Sequence, residues 1–186
     1  MEEGLTEELI ESINTEMENM CIPAQYELIA QLQELKINKK KDFVKKFLNN
    51  REKLKEQKQK TFLKLSKLVE KKKNDKFLEI VDEILEIDTN LKLDVFGTIE
   101  NLFDMLQKVP KDEKFNQLLE EKKKAKISKM KEFGAAGEKL IGEGKFYDAA
   151  FNYREAARLS KLFSTQEDYD NYIKLAEQCD SFAANE

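Results

Sequence analysis

The chain has no histidine and no tryptophan, and only two cysteines, two prolines and six glycines among its 186 residues. Lacking histidine, it lacks the side chain that most often serves as general base or metal ligand near neutral pH. Cys21 and Cys179 stand near opposite ends and cannot by themselves complete a zinc site. The first residues, "MEEGLTEELIESINTEMENM", are acidic where a secretory leader would be basic and then apolar. Both thiols are therefore expected to be reduced, in a cytoplasmic protein. No apolar run approaches the ~18 residues that a membrane-spanning helix needs. Scarce glycine and proline, beside abundant Lys, Glu, Leu and Ala, point to long helices.

Charge is plentiful and arranged in blocks. Charged residues make up 38% of the chain, yet the net charge is only −4. Residues 1–35 carry nine acids and no base, whereas residues 36–76 carry seventeen bases against five acids. Residues 77–121 are acidic again, 122–131 are basic, and the remainder is acidic. Such blocks can pair with one another inside the fold or offer a basic stripe to a partner.

Helical periodicity runs through most windows. "LTEELIESI" places Leu5, Leu9, Ile10 and Ile13 on one face, with Thr6 as the first-turn cap. Pro23 suits the start of a second helix, and Phe43, Val44, Phe47 and Leu48 form a third apolar face. Residues 49–60, with Leu54 as their only apolar side chain, read as a solvated helix or a mobile connection. A lysine-rich turn followed by phenylalanine recurs at Phe43, Phe77, Phe115 and Phe146, spacings typical of stacked helical hairpins. The expected fold is all-α: antiparallel helical hairpins stacked as a short α-solenoid or an irregular helical bundle. Its expected parts are a helical region over 1–129 and a hairpin with a capping helix over 130–186.

The stretch "GAAGEKLIGEGKFYDAAFNYREAA" holds four of the six glycines. Gly137 and Gly142 have the separation of a phosphate-binding loop, but Glu143 and Gly144 follow where Lys and a hydroxyl are required. Read as a helical hairpin, the stretch fits. Gly137, Ala149 and Ala156 permit close approach, and Gly144 lets the chain reverse.

With Phe133, Gly137, Leu140 and Gly144 followed by Phe146, Ala149, Tyr153 and Ala156, residues 130–163 resemble a tetratricopeptide repeat. Ala136 stands where that pattern has leucine, and Lys161 where it has proline. Residues 130–182 are similar too to the MIT-like three-helix domain that binds proteins of the membrane-scission machinery. "STQEDYDNYIKLAEQCDSF" would then be the covering third helix. The tetratricopeptide resemblance implies a concave groove for a peptide or helix, faced by Gly134, Glu138, Ile141 and Gly142. The lysines with which some members hold acidic peptide tails are not matched.

Catalytic chemistry finds no constellation of residues here. "EDYDN" at 167–171 lacks the glycine and closing glutamate of a calcium loop, and Asp82, Glu83 and Glu86 read as the wet face of a helix. The expected function is that of a non-catalytic scaffold or adaptor binding a protein partner. No metal, cofactor or small-molecule substrate is expected. The alternative is a basic module over 36–76, with Lys39, Lys40, Lys41, Lys45, Lys46 and Arg51 facing RNA or an anionic membrane.

Overall fold

The computed structural model describes residues 3–93 and 98–185. They form eight helices: α1 (Glu7–Glu18), α2 (Ile22–Glu34), α3 (Ile37–Glu70), α4 (Phe77–Leu91), α5 (Thr98–Lys108), α6 (Glu113–Gly142), α7 (Phe146–Phe163) and α8 (Gln166–Ala183). The fold is all-α, with no strand among the described residues beyond an isolated bridge between Met20 and Leu93. Residues 94–97 lie outside the described residues.

Local chemistry sets several of the helix ends. Thr6 accepts from the Leu9 amide at 3.4 Å, and Asp112 from the Phe115 amide at 2.8 Å. Thr165 accepts from the Asp168 amide at 3.1 Å while Ser164 donates back to the Asp168 carboxylate. That reciprocal cap places "EDYDN" inside a helix, so it forms no calcium loop. At the other ends, α3, α4 and α6 close on residues in the left-handed region: Lys72 (φ 51°), Lys92 (φ 49°) and Gly144 (φ 73°). Only one of the three is glycine, the usual choice there.

α3 is unbroken over 34 residues and so spans about 51 Å at 1.5 Å per residue. The stretch 49–60 is therefore helix, for a reason that its sparse apolar content conceals. Lys40, Arg51, Lys55 and Lys58 recur at steps that return to one side of an α-helix, and this side faces inward. α3 packs against α1, α4 and α5, and α7 against α2, α5, α6 and α8. In a solenoid each unit touches only its sequence neighbours. Here α7 meets helices distant in sequence, which makes an irregular bundle.

α7 has no wet face over residues 153–160, all of which are buried, Arg154, Glu155, Arg158 and Ser160 included. Its alanines, Ala149, Ala150, Ala156 and Ala157, admit the neighbouring helices closely. The main core joins Leu65, Phe77, Ile84, Leu102, Phe115, Met130, Ala156 and Phe163. It therefore draws on both sides of the boundary expected at 129/130, which falls within the unbroken α6. A smaller cluster of Ala149, Ala150, Tyr153, Ala176 and Cys179 lies wholly beyond that point.

All three arginines of the chain are buried, and two of them grip the end of α4. The Leu91 carbonyl accepts from Arg51 Nη1 at 2.6 Å, the Lys92 carbonyl from the Cys21 amide at 2.9 Å, and the Leu93 carbonyl from Arg158 Nη2. Three successive carbonyls are thus satisfied from α3, from the start of α2 and from α7. A helix C-terminus carries partial negative charge and orphan carbonyls, which these cations meet. One turn back, fully buried Asp88 forms ion pairs with Lys58 (2.6 Å) and Arg158 (3.6 Å). Arg158 Nε donates to Glu155 (3.1 Å), which also accepts from Thr89 (2.8 Å). Arg51 Nε donates to Glu16 of α1 at 2.7 Å.

Two variants and one surface control test this network. Arg158→Met leaves Asp88, Glu155 and the Leu93 carbonyl without their shared cation, and should cost about 3–5 kcal/mol in urea denaturation. Lys39→Gln, on the exposed side of α3, should stay within about 0.5 kcal/mol of the native protein. Burial would push the Glu16 carboxyl up, but hydrogen bonds from Arg51 and Lys55 and their charges outweigh it and hold it below 4.5. Its contribution is fully present above that value and is lost as pH falls through the lower folded one. Glu16→Gln should therefore flatten the acid limb of a stability–pH curve, and an unchanged limb would refute the assignment.

Candidate partner-docking groove

The hairpin of α6 and α7 turns over Glu143–Lys145 and is drawn together by small residues, with Gly137 facing the ring of Tyr153. A Cβ built on Gly137 would lie 2.8 Å from Tyr153 Cε1. Tyr153 stacks on Tyr172 of α8 with ring centroids 6.2 Å apart, and burial pushes both phenols up. α8 is tied to α7 by Arg154, whose Nη2 and Nη1 reach the two Asp180 oxygens at 2.5 and 3.3 Å. This bidentate pair is buried. Cys21 and Cys179 are buried and not joined in a disulfide, and burial, reinforced by Asp180 and opposed by Arg154, pushes Cys179 up.

Between this hairpin and α2 lies a groove of about 860 Å³. Pro23, Ala24, Tyr26 and Ala30 of α2 form one wall; Phe146, Tyr147 and Phe151 of α7 form the other, with Leu140 and Gly144 at the turn. Tyr26 and Tyr147 stack across it, ring centroids 4.6 Å apart and planes 24° apart. Phe146 meets Phe182 of α8 at 5.7 Å. Tyr26 remains 46% exposed and Phe182 58%, so this end of the molecule presents aromatic surface to water. Of the charges that line it, Lys92 pairs with Glu27 and Lys145 with Glu143 at 2.7 Å, and Asp148 lies beside them on α7. The Lys145 hydrogen bond holds the Glu143 carboxyl below its ordinary value, and Glu143 raises Lys145 in return. The floor joins two cores, since Phe151 packs against the α1–α3 cluster while Leu140 and Phe146 pack against the α7–α8 cluster.

The four positions expected to face a groove are not brought together as one. Gly134 is buried under Tyr172, whose hydroxyl would lie 2.8 Å from an added Cβ. α8 fills that face, so Gly134 is a packing position and not a binding one. Glu138, Ile141 and Gly142 are exposed at the end of α6, outside the lining of the groove. Their neighbours Leu140 and Gly144 line it, and the aromatics that dominate it, Tyr26 and Tyr147, come from distant parts of the sequence.

The basic candidates divide likewise. Lys39, Lys41, Lys45 and Lys46 are exposed, but Lys40 and Arg51 are buried on the inward side of α3. Arg51 sits over the Phe47 ring at 5.5 Å and is consumed by Glu16 and the α4 terminus, so it belongs to no basic surface. Nor are all of the expected wet acids wet. Asp82 pairs with Lys122 and Lys126 of α6, and Glu83 accepts from Thr61 of α3 at 3.1 Å, because α4 is covered on both flanks. Among the described residues no group of His, Cys, Asp and Glu could hold a metal ion, and no helix is long and apolar enough to cross a membrane.

The hairpin's close packing can be tested directly. Ala149 is fully buried among Tyr153, Ala176 and Cys179, and Ala149→Leu should overpack it by about 1–3 kcal/mol. Thermal melting reads the loss, and an unchanged melting temperature would contradict the packing described. No family model, no curated protein and no solved structure matches this chain.

Proposed function

We propose that this protein is a non-catalytic helical scaffold that docks a short apolar segment of a partner protein in the groove between α2 and the α6–α7 hairpin. The reading rests on one observation: an aromatic-walled groove of about 860 Å³ whose two lining lysines are already held in ion pairs. Aromatic side chains in a concave surface give large contact area with few rotors to immobilise, and they dominate binding energy at interfaces. The tetratricopeptide-like or MIT-like character of residues 130–182 agrees with peptide or helix binding, although the groove lies beside the face those families would suggest. A cytoplasmic setting fits two buried cysteines that are not joined in a disulfide.

A peptide-display selection against the full chain tests this. Selected peptides should carry apolar or aromatic anchors, perturb amide resonances of Tyr26, Tyr147 and Phe182, and bind about 30-fold more weakly to Tyr147→Ala, the loss of one aromatic hot spot. Peptides whose shifts map onto Lys39–Lys46, or whose affinity collapses with modest salt, would overturn the reading.

A further inference from the structure

Away from the groove, the turn after α3 and the turn before α6 come together. The Asn74 side chain donates to the Pro110 carbonyl at 3.1 Å, and beneath it Phe77 and Phe115 pack edge-to-face with centroids 6.1 Å apart. Two of the recurring lysine-rich turns of the sequence thus become one surface. It gathers Lys71, Lys72, Lys73 and Lys76 from the first turn and Lys108, Lys111 and Lys114 from the second, all exposed. Three acids, Asp75, Asp112 and Glu113, lie within the turns among these seven lysines, with Asp112 engaged in capping Phe115, and Glu70, Glu79 and Glu121 border the surface. Among the described residues none of the seven lysines forms an ion pair, whereas Lys55, Lys58, Lys122 and Lys126 do. α4 begins here at Lys76 without a side-chain cap, which adds partial positive charge.

We infer that these joined turns dock onto an anionic phospholipid surface. The charge is entirely lysine, with no guanidinium fork for bidentate phosphate or base contacts. The local aromatics, Phe77 and Phe115, are buried and offer no platform for base stacking. Beside the lysines, Leu118 is 48% exposed at the mouth of a shallow cavity of about 370 Å³ floored by Phe77, Leu78 and Phe115. Clustered lysines beside an exposed aliphatic group match the chemistry of a headgroup layer over acyl chains.

Cosedimentation of the full chain with vesicles of phosphatidylcholine, with and without phosphatidylserine, tests this at low and at physiological salt. The native protein should pellet only with phosphatidylserine vesicles and be released by salt. Replacing Lys71, Lys72, Lys73 and Lys76 by Gln should weaken partition about fivefold per lysine, with circular dichroism unchanged. Replacing Lys39, Lys41, Lys45 and Lys46 on α3 should have little effect. Three results would overturn the inference: no sedimentation with anionic vesicles at low salt, equal loss in the α3 variant, or binding to an RNA oligonucleotide in preference to vesicles.

Discussion

The fold depends on how the last turn of α4 is closed. A helix ending inside a protein leaves carbonyls that must be satisfied, and here the partners are fetched from three other helices. Arg51 of α3, the amide of Cys21 at the head of α2, and Arg158 of α7 each take one of three successive carbonyls. The same arginines reach back to acids: Arg51 to Glu16 of α1, and Arg158 to Asp88 of α4 and Glu155 of α7. One small segment therefore fixes the relative placement of α1, α2, α3 and α7. Guanidinium suits this task because its five donors lie in a rigid fork and it stays charged when buried. Lysine, common everywhere else in the chain, is used mostly at the surface and, as Lys55 and Lys58, at the edge of the network, with Lys40 the buried exception.

That arrangement explains why the opposite-charge blocks of the sequence do not cancel merely as a solvated average. The inward row of α3 meets Glu16 from the acidic N-terminal block and Asp88 from the acidic central block. The groove depends on the same closure. α2 is held at its head by the Cys21–Lys92 backbone bond and along its length by the Lys92–Glu27 pair, and this holds Tyr26 opposite Tyr147. A wall positioned by the α4 terminus and a wall formed by the first turns of α7 make a binding surface that neither possesses alone.

The helices and the hairpin were legible in the sequence because their signals are local. Thr6, Pro23 and Gly144 mark ends through short-range chemistry, and the apolar spacings mark the inner faces. What sequence reading missed is tertiary. Arg51 sits amid lysines and reads as one more surface charge until α3 is known to run unbroken. Its phase then matches Lys40, Lys55 and Lys58. Gly134 reads as a groove position because the hairpin alone would expose it, yet Tyr172 of α8 occupies that face. Tyr26 and Tyr147 carry no local sign of their stacking, since the contact arises from the placement of α2 against α7. Left-handed ends at Lys72 and Lys92 are also hidden, because lysine stands where glycine usually announces such a turn.

Native-state hydrogen exchange, resolved by residue, measures most directly whether the α4 terminus holds the bundle together. If it does, the amide of Cys21, the last turn of α4 and residues 153–160 of α7 should exchange only through one common global opening, with the same free energy and the same denaturant dependence. The contrary result is independent, low-cost opening of Cys21 and the α4 terminus while α6–α8 remain protected. The arginine contacts would then decorate a bundle that other packing already holds, and they would not organise it.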